Sequence, residues 1–229
     1  MISIAIFQPS IEIFGITIQE PVTCLTDLLV SVVCFINYRK IKDKTNDVYH
    51  LFKYFFLAMS LSTLWGGLVG HAFMYAFDLN WKLPGWIISM ISIMFMERAV
   101  IFHARPILKP LMGRILSVIN IVELIIFISL AIYTLNFSFV EIHAAYGFLL
   151  VVLPLELFVY IKTKDQGSLV MFQVVLLAIL SAVIHIKKIS IHEWFNHLDL
   201  SHIVIMISTI LLFKAMKRMN IFENRFDNR

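Results

Sequence analysis

The sequence lacks any long polar stretch. Apolar runs of roughly 20 residues, enough to cross a bilayer, recur from end to end, and nothing is left between them for a soluble domain. Cysteine is scarce, with two in the chain. Cys24 and Cys34 fall in one expected helix, about 15 Å apart along its axis, which is too far for a disulfide. The first residues carry no Lys or Arg, and no small-residue cleavage site follows them, so no removable signal peptide is expected. There is no inverted repeat and no matched pair of broken hydrophobic segments, which puts a small transporter last among the possible functions. The net charge of +4 does not indicate nucleic acid. The basic residues cluster in certain loops, as orientation signals do.

What the sequence does contain is apolar: 60% of its residues, against roughly 45–50% in soluble domains. The expected fold class is all-α, a seven-transmembrane helix bundle forming one domain over 1–229. The spans fall at about Pro21–Tyr38, Tyr54–Phe77, Leu83–Ile101, Ile115–Leu135, Phe139–Ile161, Leu169–Ile186 and Leu198–Met216. Residues 1–20 alternate apolar and polar side chains and read as an interfacial segment, strand-like or amphipathic. Residues 217–229 read as a cytoplasmic tail. Arg39, Lys40, Lys42 and Lys44 follow the first span, Arg105, Lys109 and Arg114 the third, and Lys162 and Lys164 the fifth. The intervening loops carry few basic residues apart from Lys187 and Lys188. The positive-inside rule therefore puts the N-terminus outside and the C-terminus inside.

Orientation converts sequence position into depth. Asp27 and His71 each lie about 9 Å from the outer end of their spans, and His202 about 6 Å down the seventh, with His197 at its mouth. All fall in one slab, provided the first, second and seventh spans are neighbours. Ionisable side chains at that depth are costly and mark functional sites. Imidazole and carboxylate are zinc ligands. A zinc site with an open position lowers the pKa of water to about 7 and yields a nucleophile. Asp199 and His202 can share a helix face, and His197 can join them if it precedes the first turn. Gly66, Gly67 and Gly70 allow a close helix approach beside His71, with Ser62 and Thr63 deeper. The plainer reading, an interfacial polar residue, is assigned to His143, His185 and His192. For Asp27, a ligand-orienting role and a structural hydrogen bond stand side by side. A second polar set comprises Glu97, Arg98, Asn120, Glu123, Tyr146 and Glu156. Its carboxylates are expected to pair internally, for example with Arg98 or Arg105, or to line a proton or ion path.

These residues resemble the CREST superfamily of seven-helix membrane proteins, which includes alkaline ceramidases, adiponectin-receptor-like proteins and Per1-like proteins. His71 looks like the family's second-helix histidine and His202 like the later of its two seventh-helix histidines. Glu20 and Asp27 look like the acidic cluster around the first helix, and Leu83-Pro84 like the Leu-Pro opening the third. The chain departs from the pattern at Leu198, four residues before His202, so that His197 or Asp199 must complete the set, and at Gly67, where a serine is usual. The resemblance implies a divergent, ceramidase-like hydrolase with zinc on His71, His202 and His197 or Asp199. Asp27 or Asp199 would orient a ligand or water. The substrate would be an acyl amide or ester of a membrane lipid, and the location a bacterial inner membrane. Glu20 is a candidate for a second, calcium-like ion. The competing reading is a non-catalytic metal-binding receptor, sensor or assembly factor.

Overall fold

The computed structural model describes residues 8–42 and 46–220. Residues 1–7 of the expected interfacial segment, 43–45 of the first basic loop and 221–229 of the expected tail lie outside the described residues. Within them, seven helices are long and apolar enough to cross a membrane: α1 (Pro21–Lys40), α2 (Asp47–Ala72), α3 (Leu79–Ile107), α4 (Pro110–Thr134), α5 (Ser138–Thr163), α6 (Gln166–Ile186) and α7 (His197–Arg218).

Several helices outrun the apolar stretch that announces them, because polar caps extend them. The side chain of Asn46 accepts from the backbone N–H of Val48 at 2.8 Å, so α2 begins seven residues before the expected Tyr54. It also ends earlier, in a π-helical stretch from Gly66 to Ala72. Pro110 opens α4 ahead of the expected Ile115, since proline lacks the N–H that would be unpaired there anyway. Asp165 caps α6 through the N–H of Ser168 at 2.7 Å, and its other oxygen accepts from the N–H of Asn220 just beyond α7 at 2.7 Å.

Before α1 the chain forms a hairpin of β1 (Ile11–Ile13) and β2 (Ile16–Ile18), in the register Ile11↔Ile18, Glu12↔Thr17, Ile13↔Ile16. The two turn residues, Phe14 and Gly15, have φ of 52° and 76°. Positive φ at both positions is the type I′ geometry that matches strand twist. Gln19 N–H donates to the carbonyl of Ala72 at 3.1 Å and ties this hairpin to the end of α2.

Six helices close a ring in the order α1, α2, α3, α5, α6, α7 and back to α1, while α4 packs outside it against α3 and α5. The core joins Val30, Phe52, Phe56, Met96, Met171 and Leu212, all buried. Phe56 and Phe213 meet edge to face at 6.1 Å and link α2 to α7 across the ring. Towards the outside, α4 exposes Val118, Val122, Ile125 and Ile126, and the other helices likewise turn Leu150, Leu176 and Ile186 outwards. An apolar exterior of this extent is what a lipid environment accommodates.

The buried carboxylates do not pair with arginine as expected. Arg98 donates to Asn120 Oδ1 at 3.0 Å and to the carbonyl of Ser117 at 2.7 Å, and Arg105 donates to Ser117 Oγ at 2.9 Å. Glu156 faces His103 Nδ1 at 3.2 Å and accepts from Ser168 Oγ at 2.5 Å. Arginine carries its charge on a long stem that reaches out along the helix, so shorter histidine, serine and asparagine side chains fill the interior. His143 is not interfacial. It is wholly buried, with Nε2 3.2 Å from Glu123. His185 is partly exposed, 3.0 Å from Glu141, and His192 is exposed in the loop before α7. Cys24 and Cys34 are both buried and free.

Candidate metal centre

The site begins with the unpaired N–H groups at the start of α1. The first turn of a helix leaves its donors without intrahelical partners. Pro21 removes one, and the side chain of Gln8 takes two more: its Oε1 accepts from Val22 N–H at 3.0 Å and Thr23 N–H at 3.3 Å. The amide nitrogen of the same side chain donates to Asp199 Oδ2 at 2.7 Å and to the carbonyl of Trp194 at 3.3 Å. One glutamine therefore bolts the start of α1 to the start of α7. Asp199 is also the third residue of a capping box, accepting from Asn196 N–H at 2.7 Å, while Asn196 Oδ1 accepts from Leu198 N–H at 2.8 Å. The oxygens of Asp199 are thus spent on α7's own start, on Gln8 and on Thr26, whose Oγ1 lies 3.5 Å from Oδ1.

Thr26 holds His202. Its hydroxyl donates to the carbonyl of Thr23 at 3.0 Å and stands 2.9 Å from His202 Nδ1. Its single proton goes to the Thr23 carbonyl or to Asp199 Oδ1, both of which only accept, so towards His202 the hydroxyl accepts from Nδ1–H, which leaves the His202 Nε2 lone pair bare. His71 is arranged the same way. Its Nδ1 is 2.5 Å from Glu20 Oε2; a carboxylate oxygen accepts from Nδ1–H, and in the neutral tautomer this selects, Nε2 carries the lone pair. The residue expected to serve a second ion thus orients a histidine.

Both bare nitrogens point at one carboxylate. His71 Nε2 lies 3.7 Å from Asp27 Oδ2 and His202 Nε2 lies 3.5 Å from Asp27 Oδ1, with the two ring centroids 6.3 Å apart. Two lone pairs aimed at an anion repel unless a cation or a proton lies between them. In tetrahedral zinc coordination the donors are about 2.0–2.2 Å from the ion, hence about 3.3–3.5 Å from one another. The His202 separation of 3.5 Å reaches that span and the His71 separation of 3.7 Å lies beyond it. The three residues do not each bring a ligand atom to within 4.8 Å of the other two, so an ion held here would draw the two imidazoles inwards; the donor set of two imidazoles and a carboxylate fits the metal. Two orienting partners, Glu20 and Thr26, occupy the far nitrogens, as metal-ligating histidines require.

The glycines make the approach possible. A Cβ on Gly67 would stand 3.0 Å from Asp27 Cβ and 3.2 Å from the carbonyl of Cys24, and one on Gly66 would stand 3.3 Å from Asp27 Oδ2. Gly70 has nothing within 4 Å of its added Cβ. The π-helical turns of α2 begin at these glycines and run through His71 to Ala72, the kind of local widening that recurs at functional sites.

Asp27, His71 and His202 are among the residues lining a half-open cavity of about 810 Å³ within the six-helix ring. That volume suits a ligand well beyond water size. Most of its wall is apolar, with Phe55, Ile93, Phe148 and Leu212 among the lining residues. His197 does not meet Asp27. Its ring faces His185 at 5.5 Å and its N–H donates to Ser190 Oγ at 3.1 Å. Ser62 Oγ donates to the carbonyl of Gly85 at 3.0 Å, and Thr63 Oγ1 to that of Met59 at 3.0 Å.

The family model that matches, a family of unknown function designated DUF6962, covers residues 22–221. The chain belongs to this family. No curated protein and no solved structure matches it. The DUF6962 match spans Asp27, His71 and His202 and begins after Gln8 and Glu20. Gln8 was missed as a site residue because a lone glutamine in an alternating segment carries no local signal. Thr26 adjoins Asp27, and only the fold sets it against His202.

Proposed function

We propose that this DUF6962 chain is a zinc-dependent integral membrane hydrolase that cleaves an acyl amide or ester of a membrane lipid, as its resemblance to the CREST superfamily implies. One observation carries the reading: the bare Nε2 atoms of His71 and His202 converge on Asp27 in the wall of a largely apolar cavity. His71, His202 and Asp27 would hold the ion, with Asp27 in the third position rather than His197 or Asp199. A zinc ion there supplies Lewis-acid activation of a carbonyl and of water. Glu20 keeps the proton of His71 on Nδ1, and Thr26 does the same for His202, so both rings keep their ligating edge towards Asp27. Asp199 acts at one remove, fixing the Thr26 hydroxyl and the start of α7. The cavity wall shields an acyl chain from water and brings its carbonyl to His71, His202 and Asp27. In the membrane, the end bearing Glu20, His71 and His202 faces outwards, and the end bearing Arg39, Arg105, Lys162 and Arg218 faces inwards.

Metal content of the detergent-purified protein, measured by elemental mass spectrometry beside His71→Ala and His202→Ala, tests the centre. Each variant is expected to lose about one zinc equivalent relative to wild type and to stop releasing fatty acid from N-acyl and ester lipids. Folded variants that keep the wild-type zinc content would sink the proposal.

A second reading is favoured by the two hydroxyls of Ser62 and Thr63. Both are spent on backbone carbonyls, which leaves neither free to assist at a substrate carbonyl. In that reading the same metal centre stabilises a non-catalytic receptor or sensor. Zinc lost in both variants, with no fatty acid released by the wild type, would select it.

A further inference from the structure

A second constellation lies elsewhere in the bundle, between α3, α4 and α5. Glu97, Glu123 and His143 each bring one potential ligand atom to within 4.8 Å of the others, and all three residues are buried. They do not line the cavity described above. Their polar atoms are left open. Among the described residues, nine buried side-chain nitrogen and oxygen atoms lack a hydrogen-bond partner, and five of them are here: Glu97 Oε1, both oxygens of Glu123 and both ring nitrogens of His143. His143 Nε2 and Glu123 Oε2 are 3.2 Å apart without the alignment of a hydrogen bond. Unsatisfied groups concentrated in this way call for an ion or a proton to bind them.

The surroundings are built to hold the donors in place. Asn120 Nδ2 donates to Glu97 Oε2 at 2.9 Å and to the carbonyl of Met94 at 3.3 Å. Asn120 Oδ1 in turn accepts from Arg98 Nε at 3.0 Å. Arginine thereby fixes asparagine, and asparagine fixes one oxygen of Glu97 while the other is left free. That free oxygen points at Gly147, where an added Cβ would collide with it. A glycine is required there for the carboxylate to enter. Gly147 also opens the π-helical segment Gly147–Val152 of α5. The ring of Phe127 packs edge to face on His143 at 5.4 Å and sets its plane.

Two carboxylates and an imidazole, desolvated together, need a positive charge. Arg98 supplies none directly, because its side chain stops at Asn120 and Ser117. Orienting hydrogen bonds behind a ligating carboxylate are the usual support for a bound metal. We infer that Glu97, Glu123 and His143 form a second binding site for a divalent first-row transition ion, separate from the Asp27 centre and independent of the proposed function. Mixed carboxylate and imidazole donors suit zinc, manganese and ferrous iron, and zinc alone serves as the probe because it ranks above the other two in intrinsic affinity.

The test uses the full chain, produced in zinc-supplemented medium and purified without chelator, with zinc per chain read by elemental mass spectrometry. His71→Ala removes the Asp27 centre and is expected to retain about one equivalent. Adding Glu123→Gln or His143→Gln to it is expected to bring zinc to background, with the folded state followed by thermal melting and gel filtration. If Glu123→Gln does not fold, His71→Ala alone decides: a folded protein without zinc overturns the second site and leaves a proton shared between the carboxylates. Zinc retained when Glu123→Gln is combined with His71→Ala also overturns it. If wild type and His71→Ala hold the same single equivalent and Glu123→Gln loses it, the second site stands and the proposed hydrolase centre falls.

Discussion

Gln8 is the most exposed point of the reasoning, because one neutral side chain is asked to join two helices. It is buried, and its amide donates at 2.7 Å to the carboxylate of Asp199 while its carbonyl accepts at 3.0 Å from Val22 N–H. A hydrogen bond to a charged group contributes about 1.5–3 kcal/mol, and a neutral one about 0.5–1.5 kcal/mol. The two longer bonds, to Thr23 N–H and the carbonyl of Trp194 at 3.3 Å, add little. Gln8→Ala therefore costs about 3 kcal/mol. At roughly 2–4 °C per kcal/mol for a chain of this size, Tm falls by about 6–12 °C. Tryptophan fluorescence of the detergent-solubilised protein reads the transition. Gln8→Glu keeps the size and the acceptor but sets a carboxylate against Asp199, so it is expected to melt lower still. An alanine variant within about 1 °C of wild type, or a glutamate variant above the alanine one, would refute the claim that Gln8 bridges α1 and α7.

Three further perturbations test neighbouring parts of the structure. Gly67→Ala forces a methyl against Asp27 Cβ and the Cys24 carbonyl, which costs about 1–3 kcal/mol and lowers both Tm and zinc content. Gly70→Ala, open on that side, serves as the matched control and leaves both at or above wild type. Asn196→Ala removes the side chain that accepts from Leu198 N–H and is expected to cost about 1 kcal/mol in a thermal melt. Phe14→Asn relieves a bulky residue held at φ 52°. A Tm equal to or above wild type is expected, and a clear fall would show that the ring has a contact worth more than the strain, which is about 1–3 kcal/mol.

The helices were legible because a bilayer imposes length and hydropathy on every span, and Pro21 marked the start of α1 outright. The hairpin was half legible. The alternation of Ile11 to Ile18 read as strand-like, but Phe at the first position of a type I′ turn is a poor sequence signal. Asp27, His71 and His202 could be set at one depth by counting residues from the span ends. Which of them faces which could not be counted. The π-helical stretch that contains His71 rotates it relative to an ideal α-helix, and the seven-residue shift at the start of α2 came from the cap at Asn46. His197 and Asp199 looked the candidates for a third ligand, with Asp27 only orienting, since spacing does not reveal that the loop from Ser190 draws His197 towards His185. The Glu97, Glu123 and His143 cluster was invisible as a unit. Each residue sits in a different apolar run, and the carboxylates invited pairing with arginine, Glu97 having Arg98 beside it. The short side chain of Asn120 is what diverted Arg98.

The bond from Gln8 to Asp199 also has a consequence in time. Its two ends are 191 residues apart in the chain. At about 5–20 residues per second, synthesis needs roughly 10–40 s to deliver the second end after the first. Through that interval the amide nitrogen of Gln8 has no Asp199 to donate to, and His71 has Glu20 and Asp27 beside it but no His202. The centre therefore cannot be completed until the start of α7 has been made. A ribosome that stalls before α7 leaves six spans assembled around an open end.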